Sequence, residues 1–331
     1  MILTNLTLQN FRSYEKKSFT FSPKTTLILG PNAAGKTNIV EAIMLMATGK
    51  SFRADYDREV IRWGSDIARI KGTIDETKLE FIITPTIKKY FVNGVARRQI
   101  DFVGNLRAVL FWPEDLELVT DSPSLRRRYL DSVLVQADRE YRRNLLSYER
   151  GLRQRNRLLD YINEGKAHRH QLLFWNQLLI KSGGYITEVR GAYIEYINNF
   201  RPDYNIEYDK SVISETRLEQ YKDEEIAAKA TLVGPHRDDF SIMYAGKNLS
   251  KFGSRGEQRL AVLWLKLAES SYIEKETGER PILLLDDILS ELDRKHRQIV
   301  LSIISEQQTI LTSADPGIIE KEMKSWQKIS L

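Results

Sequence analysis

Two stretches of this chain carry residue types suited to phosphate chemistry. From Gly30 to Thr37 the sequence GPNAAGKT fits G-x-x-x-x-G-K-[ST]. A loop of that composition turns successive backbone N–H groups inward around an anion. The helix that follows adds the partial positive charge of its N-terminus. Gly30, Pro31, Asn32, Ala33, Ala34, Gly35 and Asn38 would line the phosphates. Lys36 would reach the β- and γ-phosphates, and the Thr37 hydroxyl would ligate Mg²⁺. The second stretch, residues 281–293, reads PILLLDDILSELD. Its apolar run Ile282–Leu285 ends in two adjacent carboxylates, which are costly there unless they face a cation or water. Asp286 is placed to hold Mg²⁺ through water, and Asp287 to polarise a hydrolytic water.

These side chains need particular elements beneath them. Leu27, Ile28 and Leu29 form an apolar strand that breaks at Gly30, and helix-forming residues run from Asn38 to Ala47. Ile282–Leu285 reads as a strand buried on both faces. Just before it, Ser254 and Gly256 open a helix with Leu260, Leu263 and Leu267 on one face and Glu257 and Gln258 in its first turn. The phosphate loop and the acidic strand lie near opposite ends of the chain, so the fold is α/β: a P-loop ATPase head assembled from both ends, with a helical lobe inserted.

The remaining segments fit that plan. Residues 2–8 alternate apolar and polar, a second strand is expected at 18–21, and further strands at 67–72 and 78–84. Lys88–Ile100 reads as a hairpin turning at Asn93-Gly94. Its Lys88, Lys89, Arg97 and Arg98 either solubilise an edge strand or face DNA. From Ser124 to about Asn199 apolar residues recur at helical spacing, and Arg201-Pro202 closes the run. Arginine is dense here: Arg126–Arg128, Arg139, Arg142, Arg143, Arg150, Arg153, Arg155 and Arg157. Each reads as a solvated helix face with partners such as Glu149 for Arg153, or together as a DNA-facing surface. Residues 209–229 read as a loop and helix rim, and Phe240–Tyr244 as a strand. The expected division is 1–112 with 233–331 for the head and 113–232 for the helical lobe.

Composition excludes several classes. The chain has 331 residues, 42% of them hydrophobic, and 50 basic against 45 acidic residues. So mild a positive excess permits polyanion binding without requiring it. There are no cysteines, which excludes disulfides, zinc–thiolate sites and thiol nucleophiles and fits a reducing, cytoplasmic setting. No apolar run approaches the length of a membrane span, and the first residues lack the pattern of a signal peptide. His168 and His170 have no third ligand nearby and read as surface residues. His236, Arg237, Asp238 and Asp239 follow Gly234-Pro235 and read as a structural corner or a site-adjacent element. Trp112, Trp175 and Trp264 read as packing residues.

GPNAAGKTNIVEAI, GPHRDD, SRGEQRLAVLWLKLAE and PILLLDDILSELD, in that order, resemble the RecF family of recombination and repair ATPases. That family lies within the ATP-binding-cassette superfamily that includes the SMC proteins and Rad50. FWPEDLELV…SPSLRRRYLD and YERGLRQRN also resemble it, so the similarity spans nearly the whole chain. The resemblance implies a Walker A loop at Gly30–Thr37, a Walker B ligand at Asp286, and a hydrolytic residue at Asp287. Most cassette ATPases have glutamate in that last place, and the shorter carboxylate implies slow hydrolysis, which the resemblance implies is stimulated by DNA. It further implies a signature at Ser254, Gly256, Glu257 and Gln258 that closes on the γ-phosphate of a second subunit, and a D-loop at Ser290–Asp293. Two ATPs would then lie between two chains, and the ATP-bound homodimer would clamp double-stranded DNA at gaps and single-strand/double-strand junctions near the nucleoid. Loading of recombinase would follow through the mediator proteins RecR and RecO.

There are departures from the cassette pattern. The signature is SRGEQ rather than LSGGQ, and no Q-loop glutamine is placed. The usual switch histidine is replaced by a strand ending in Thr312, Ser313 and Asp315, with Thr312 the expected γ-phosphate sensor. The alternatives are a transporter ATPase, an SMC-like structural ATPase and a cassette-headed nuclease. The basic insert argues against the first, its shortness against the second, and the lack of an acidic metal cluster after the head against the third.

Overall fold

A computed structural model describes residues 1–331 except Pro202 and residues 289–297, 299, 301–303, 305 and 316–324. The chain divides into two compact units: Met1–Asp115 with Glu269–Leu331, and Leu116–Ala268.

The first unit holds two sheets. One is antiparallel, in the order β2-β1-β4-β5-β6-β7, from β1 (Leu3–Phe11), β2 (Tyr14–Thr20), β4 (Ala68–Ile74), β5 (Thr77–Ile83), β6 (Lys88–Val92) and β7 (Val95–Arg97). Its burial alternates as a one-sided sheet requires: Ala68, Ile70, Gly72 and Ile74 face the core while Arg69, Lys71 and Thr73 face out. Asn93 (φ 51°) and Gly94 (φ 78°) turn the β6–β7 hairpin, both left-handed as a two-residue primed turn demands.

The second sheet is parallel, in the order β14-β3-β13-β12-β8, from β3 (Thr25–Leu29), β8 (Ala108–Phe111), β12 (Ile282–Asp286), β13 (Thr309–Ser313) and β14 (Gln327–Ser330). Apart from β14 these strands are almost wholly buried, as expected of a parallel sheet covered on both faces. Helix α1 (Lys36–Thr48) packs against β8, β12 and β13. Because the strands are parallel, the segments after β3, β12, β13 and β8 all emerge at one edge, where ligands bind in open α/β sheets.

The second unit contains helices α2 (Pro123–Ala137), α3 (Arg139–Asn163) and α4 (Leu173–Phe200). Beside them is a small antiparallel sheet of β9 (Tyr204–Asp209), β10 (Asp239–Tyr244) and β11 (Lys247–Asn248), in the order β11-β10-β9. The arginine-rich stretch is therefore helical as expected, while β9 lies between the Arg201-Pro202 break and the loop expected from 209 and was not anticipated. The chain returns to the first unit inside α5 (Arg255–Thr277), not near residue 233. Several contacts bind residues 233–268 to the helical unit. β10 pairs with β9 along its length, Arg126 makes a two-point ion pair with Asp239 (2.6 and 3.1 Å), and Trp264 stacks on Tyr204 at 5.0 Å.

Candidate nucleotide site

The phosphate loop has the backbone its composition implies. Ala33 (φ 66°) and Gly35 (φ 98°) are both left-handed, and the Ala34 N–H bonds back to the Pro31 carbonyl at 3.2 Å. Helix α1 starts at Lys36 with no side-chain cap and no acidic residue in its first turn. Its first N–H groups thus keep no partner within the helix, the usual condition of an anion site. Lys36 is 7% exposed, and its ammonium donates to the Gly30 and Pro31 carbonyls at 2.8 and 3.0 Å. It thereby spans the mouth of the loop, within reach of any phosphate seated there.

The loop is braced from the β1–β2 turn, which sequence reasoning did not connect to it. The Tyr14 hydroxyl donates to the Gly35 carbonyl at 3.2 Å, and Asn38 Nδ2 donates to Ser13 Oγ at 3.0 Å. Burial pushes the Tyr14 phenol up to about 12, so it remains a donor. Tyr14 also explains why residue 35 must be glycine. A Cβ there would stand 2.8 Å from the Tyr14 hydroxyl, in a conformation L-residues rarely adopt.

Asp286 and Asp287 lie at the edge where the phosphate loop opens, since β13 pairs with both β3 and β12. Asp286 is 4% exposed, and the Thr312 hydroxyl donates to its Oδ1 at 2.6 Å. The Asp287 N–H donates to Thr312 Oγ1 at 3.1 Å, and Asp287 is left-handed (φ 53°). A non-glycine residue in that region is strained, and such strain is common where a side chain must be aimed. Thr312, expected at the γ-phosphate, is 3% exposed, and its hydroxyl is engaged by the two aspartates. It thus bridges the two acids.

A divalent cation fits this donor set. Thr37 is half-buried at the start of α1, and Asp286 is fixed through one oxygen. Among the described residues no group of three or more His, Cys, Asp or Glu could hold a metal. One hydroxyl, one carboxylate and otherwise water and phosphate oxygens is the pattern Mg²⁺ favours.

The signature segment lies in the other unit. Ser254 and Gly256 are exposed, and Ser254 N–H and Oγ donate to Glu257 at 2.7 and 2.8 Å. The Glu257 N–H donates back to Ser254 Oγ at 3.3 Å, completing a capping box at the start of α5. Gln258 is buried and donates to the Leu249 carbonyl at 2.9 Å, which makes it a support for the preceding turn. Asp293, and the D-loop with it, lies outside the described residues.

GPHRDD is the hub of the helical unit. Asp238, fully buried, receives Arg190 at 2.9 Å, the Tyr208 hydroxyl at 2.5 Å and the Ser211 N–H at 2.7 Å. Burial raises its carboxyl above the ordinary range, against those three contacts. His236 accepts from the Tyr148 hydroxyl at Nδ1 (2.8 Å) and donates from Nε2 to the Thr231 carbonyl (3.0 Å). Burial pushes its imidazole down to about 4, so the ring is neutral. The arginines divide. Arg126 and Arg155 are buried ion-pair members, bound to Asp239 and Glu225, and are removed from the DNA-facing set. Arg143, Arg150, Arg153 and Arg157 have exposed positions on α3. His168 and His170 are exposed and stack on each other, as surface residues do.

Comparison with known proteins agrees with this geometry. Residues 2–330 match the family described as RecF/RecN/SMC N terminal domain. The DNA replication and repair protein RecF of Lachnoclostridium phytofermentans is 40% identical over 332 residues, covering 94% of this chain and 92% of its own length. RecF of Roseiflexus castenholzii is 38% identical over 370 residues, covering 95% and 93%. Two solved structures of the recombination mediator protein RecF in the RecFOR pathway, RecF-ATP and RecF-ATPrS, superpose with TM-scores of 0.88 and 0.87. Both are 32% identical, and each covers 96% of this chain, with 93% and 94% of their own lengths. No described helix is long and apolar enough to cross a membrane.

Proposed function

The chain belongs to the RecF family, and from that membership we propose how its nucleotide site serves DNA replication and repair. It is an ATP-binding ATPase of the cassette and SMC type, and its similarity to RecF over nearly the whole chain favours the repair reading over a transporter subunit. The observation that carries the reading is one sheet edge bearing an uncapped phosphate loop, Lys36, and the Thr312-braced pair Asp286 and Asp287. Bound ATP places its phosphates on Gly30–Asn38, with Lys36 on the β- and γ-phosphates. Thr37 and Asp286 would hold Mg²⁺, which would supply charge neutralisation at those phosphates. Asp287 orients the attacking water, and slow hydrolysis follows. Ser254 and Gly256, exposed at the start of α5, would meet the γ-phosphate held by a second copy. ATP therefore favours the dimer, because only there does it touch both subunits.

The DNA side of the proposal rests on the outer face of the antiparallel sheet. Register places Lys16 beside Gln9, Arg69 beside Gln9, Lys71 beside Glu80, Lys78 beside Thr73, and Lys89 beside Ile82. These five cations share that face with one carboxylate, Glu80, which already pairs with Arg69 at 3.2 Å and Lys71 at 3.6 Å. Such a face suits the phosphates of a duplex, with salt-dependent and largely sequence-independent binding. Gapped and junction DNA are the proposed targets, with RecR and RecO as partners and the nucleoid as the place of action.

The test is sedimentation of wild type and Lys36→Arg with a gapped duplex, under no nucleotide, ADP and ATP. ATP alone should convert wild type to a DNA-bound dimer, with Lys36→Arg left monomeric. DNA binding that is equal in all three conditions would refute the ATP-gated clamp.

A further inference from the structure

Glu41 is fully buried in α1, one turn beyond Thr37 on the same helix face. It stands outside the phosphate site, yet it accepts three hydrogen bonds from two other parts of the chain. Arg12 donates from Nε at 2.8 Å and from Nη2 at 2.6 Å, and Ser51 Oγ donates at 2.5 Å. Both donors hold more chain in turn. Arg12 Nη1 donates to the Glu59 carbonyl at 2.6 Å, and the Arg12 N–H to the Val60 carbonyl at 2.8 Å. Ser51 Oγ accepts the N–H groups of Arg53 and Ala54 at 3.0 and 2.9 Å. One carboxylate thus grips both ends of the segment 51–60.

The same contacts reach the phosphate loop. Arg12, left-handed at φ 51°, leads into Ser13 and Tyr14, which bond Asn38 and Gly35. At the other end Phe52 packs edge-on against Trp112 with centroids 4.6 Å apart. Trp112 directly follows β8, at the edge where Asp286 emerges. The outer surface of the segment presents Arg53, Tyr56 and Arg58, all exposed, and beyond it Trp63 is 99% exposed on a turn closed by Ser65 N–H to the Arg62 carbonyl. A buried carboxylate must be paired, but pairing alone needs only one neighbour. This one joins the nucleotide helix, the turn that braces its loop, and a surface segment.

We infer that Glu41 is a positioning residue that transmits nucleotide occupancy from α1 to the segment 51–60. The inference rests on ATP binding at the phosphate loop. A nucleotide seated on Lys36 and Thr37 stiffens α1 and the β1–β2 turn, and through Arg12 and Ser51 it orders the Arg53–Arg58 surface.

Hydrogen exchange on the full chain tests this, with and without Mg²⁺ and ATP, alongside a direct ATP-binding measurement. In wild type, the amides of residues 51–60 should exchange about five-fold or more slowly with ATP, the lower range of ordinary site coupling. Ser51→Ala cuts the link to residues 51–54 while leaving the buried Arg12–Glu41 pair, and with it the hold on the Glu59 and Val60 carbonyls, intact. It should bind ATP within about two-fold of wild type, keep the protection of α1, and lose that of residues 51–54. Ser51→Thr should restore it, and Glu41→Gln should lose it as well. The inference is overturned if Ser51→Ala keeps the protection, or if wild type shows it only in the phosphate loop. Failure of wild type to bind ATP appears in the binding measurement and overturns the nucleotide reading along with the inference.

Discussion

Replacing Thr312 by valine separates two roles for this side chain. Valine keeps the shape but removes the hydroxyl that donates to Asp286 at 2.6 Å and accepts the Asp287 N–H at 3.1 Å. A hydrogen bond to an ionised acceptor contributes about 1.5–3 kcal/mol, so the folded state should lose about 2 kcal/mol and several degrees of Tm. The larger effect falls on the metal. Losing a group that orients a ligand typically weakens metal binding about 10- to 100-fold. Binding of a fluorescent ATP and a fluorescent ADP, each with Mg²⁺ and with EDTA, decides the matter. If Thr312 orients the acids, both nucleotides weaken with Mg²⁺ and neither changes in EDTA, and Thr312→Ser recovers most of the loss. If ATP alone weakens, Thr312 acts at the γ-phosphate and the orienting argument is refuted.

Two further predictions concern the helical unit. Glu225→Ala should cost about 3–5 kcal/mol in urea unfolding, because it strands Arg155, now paired at 2.7 Å and 2% exposed; a loss under 1 kcal/mol would mean water reaches that guanidinium. Stability should also fall on acidification through His236. Its folded value is about 4 against an ordinary 6.5, so between those pH values the unfolded chain binds a proton that the folded chain does not. The contribution is fully present above about pH 6.5 and lost as pH falls toward 4, amounting to at most about 3 kcal/mol, and His236→Gln should flatten that part of the stability profile.

The site was legible where chemistry and local structure coincide. The loop from Gly30 to Thr37 needs small residues, a lysine and a helix start in consecutive positions, so its geometry follows from neighbours in sequence. The same holds for Ile282–Asp287, where an apolar run fixes a buried strand and two acids fix its end. Segments whose role depends on distant partners were not legible. β8 is only Ala-Val-Leu-Phe before a proline, and it becomes a strand because β12 lies beside it. β9 forms because β10 returns to pair with it across the intervening residues 210–238. Gln258 sits in a signature-like string, but its amide bonds the Leu249 carbonyl, a partner no spacing rule specifies.

Buried charge is where sequence reasoning erred most, and the physical reason is general. Arg126 and Arg155 look like their exposed neighbours in a basic helix, since a charged side chain in a polar stretch reads as solvated. What separates them is a carboxylate far along the chain, Asp239 for one and Glu225 for the other. Arg12 and Glu41 make the same point beside the nucleotide. Glu41 belongs to a string assigned to the phosphate-loop helix, and Arg12 lies between the strands expected at 2–8 and 18–21. Only their meeting at 2.6 Å shows that the turn bracing Gly35 and the helix carrying Lys36 are held by one ion pair. A buried pair of this kind adds little net stability against an apolar substitute. Its consequence is geometric: the turn and the helix move together, and a cavity-filling apolar pair would leave them free to move apart.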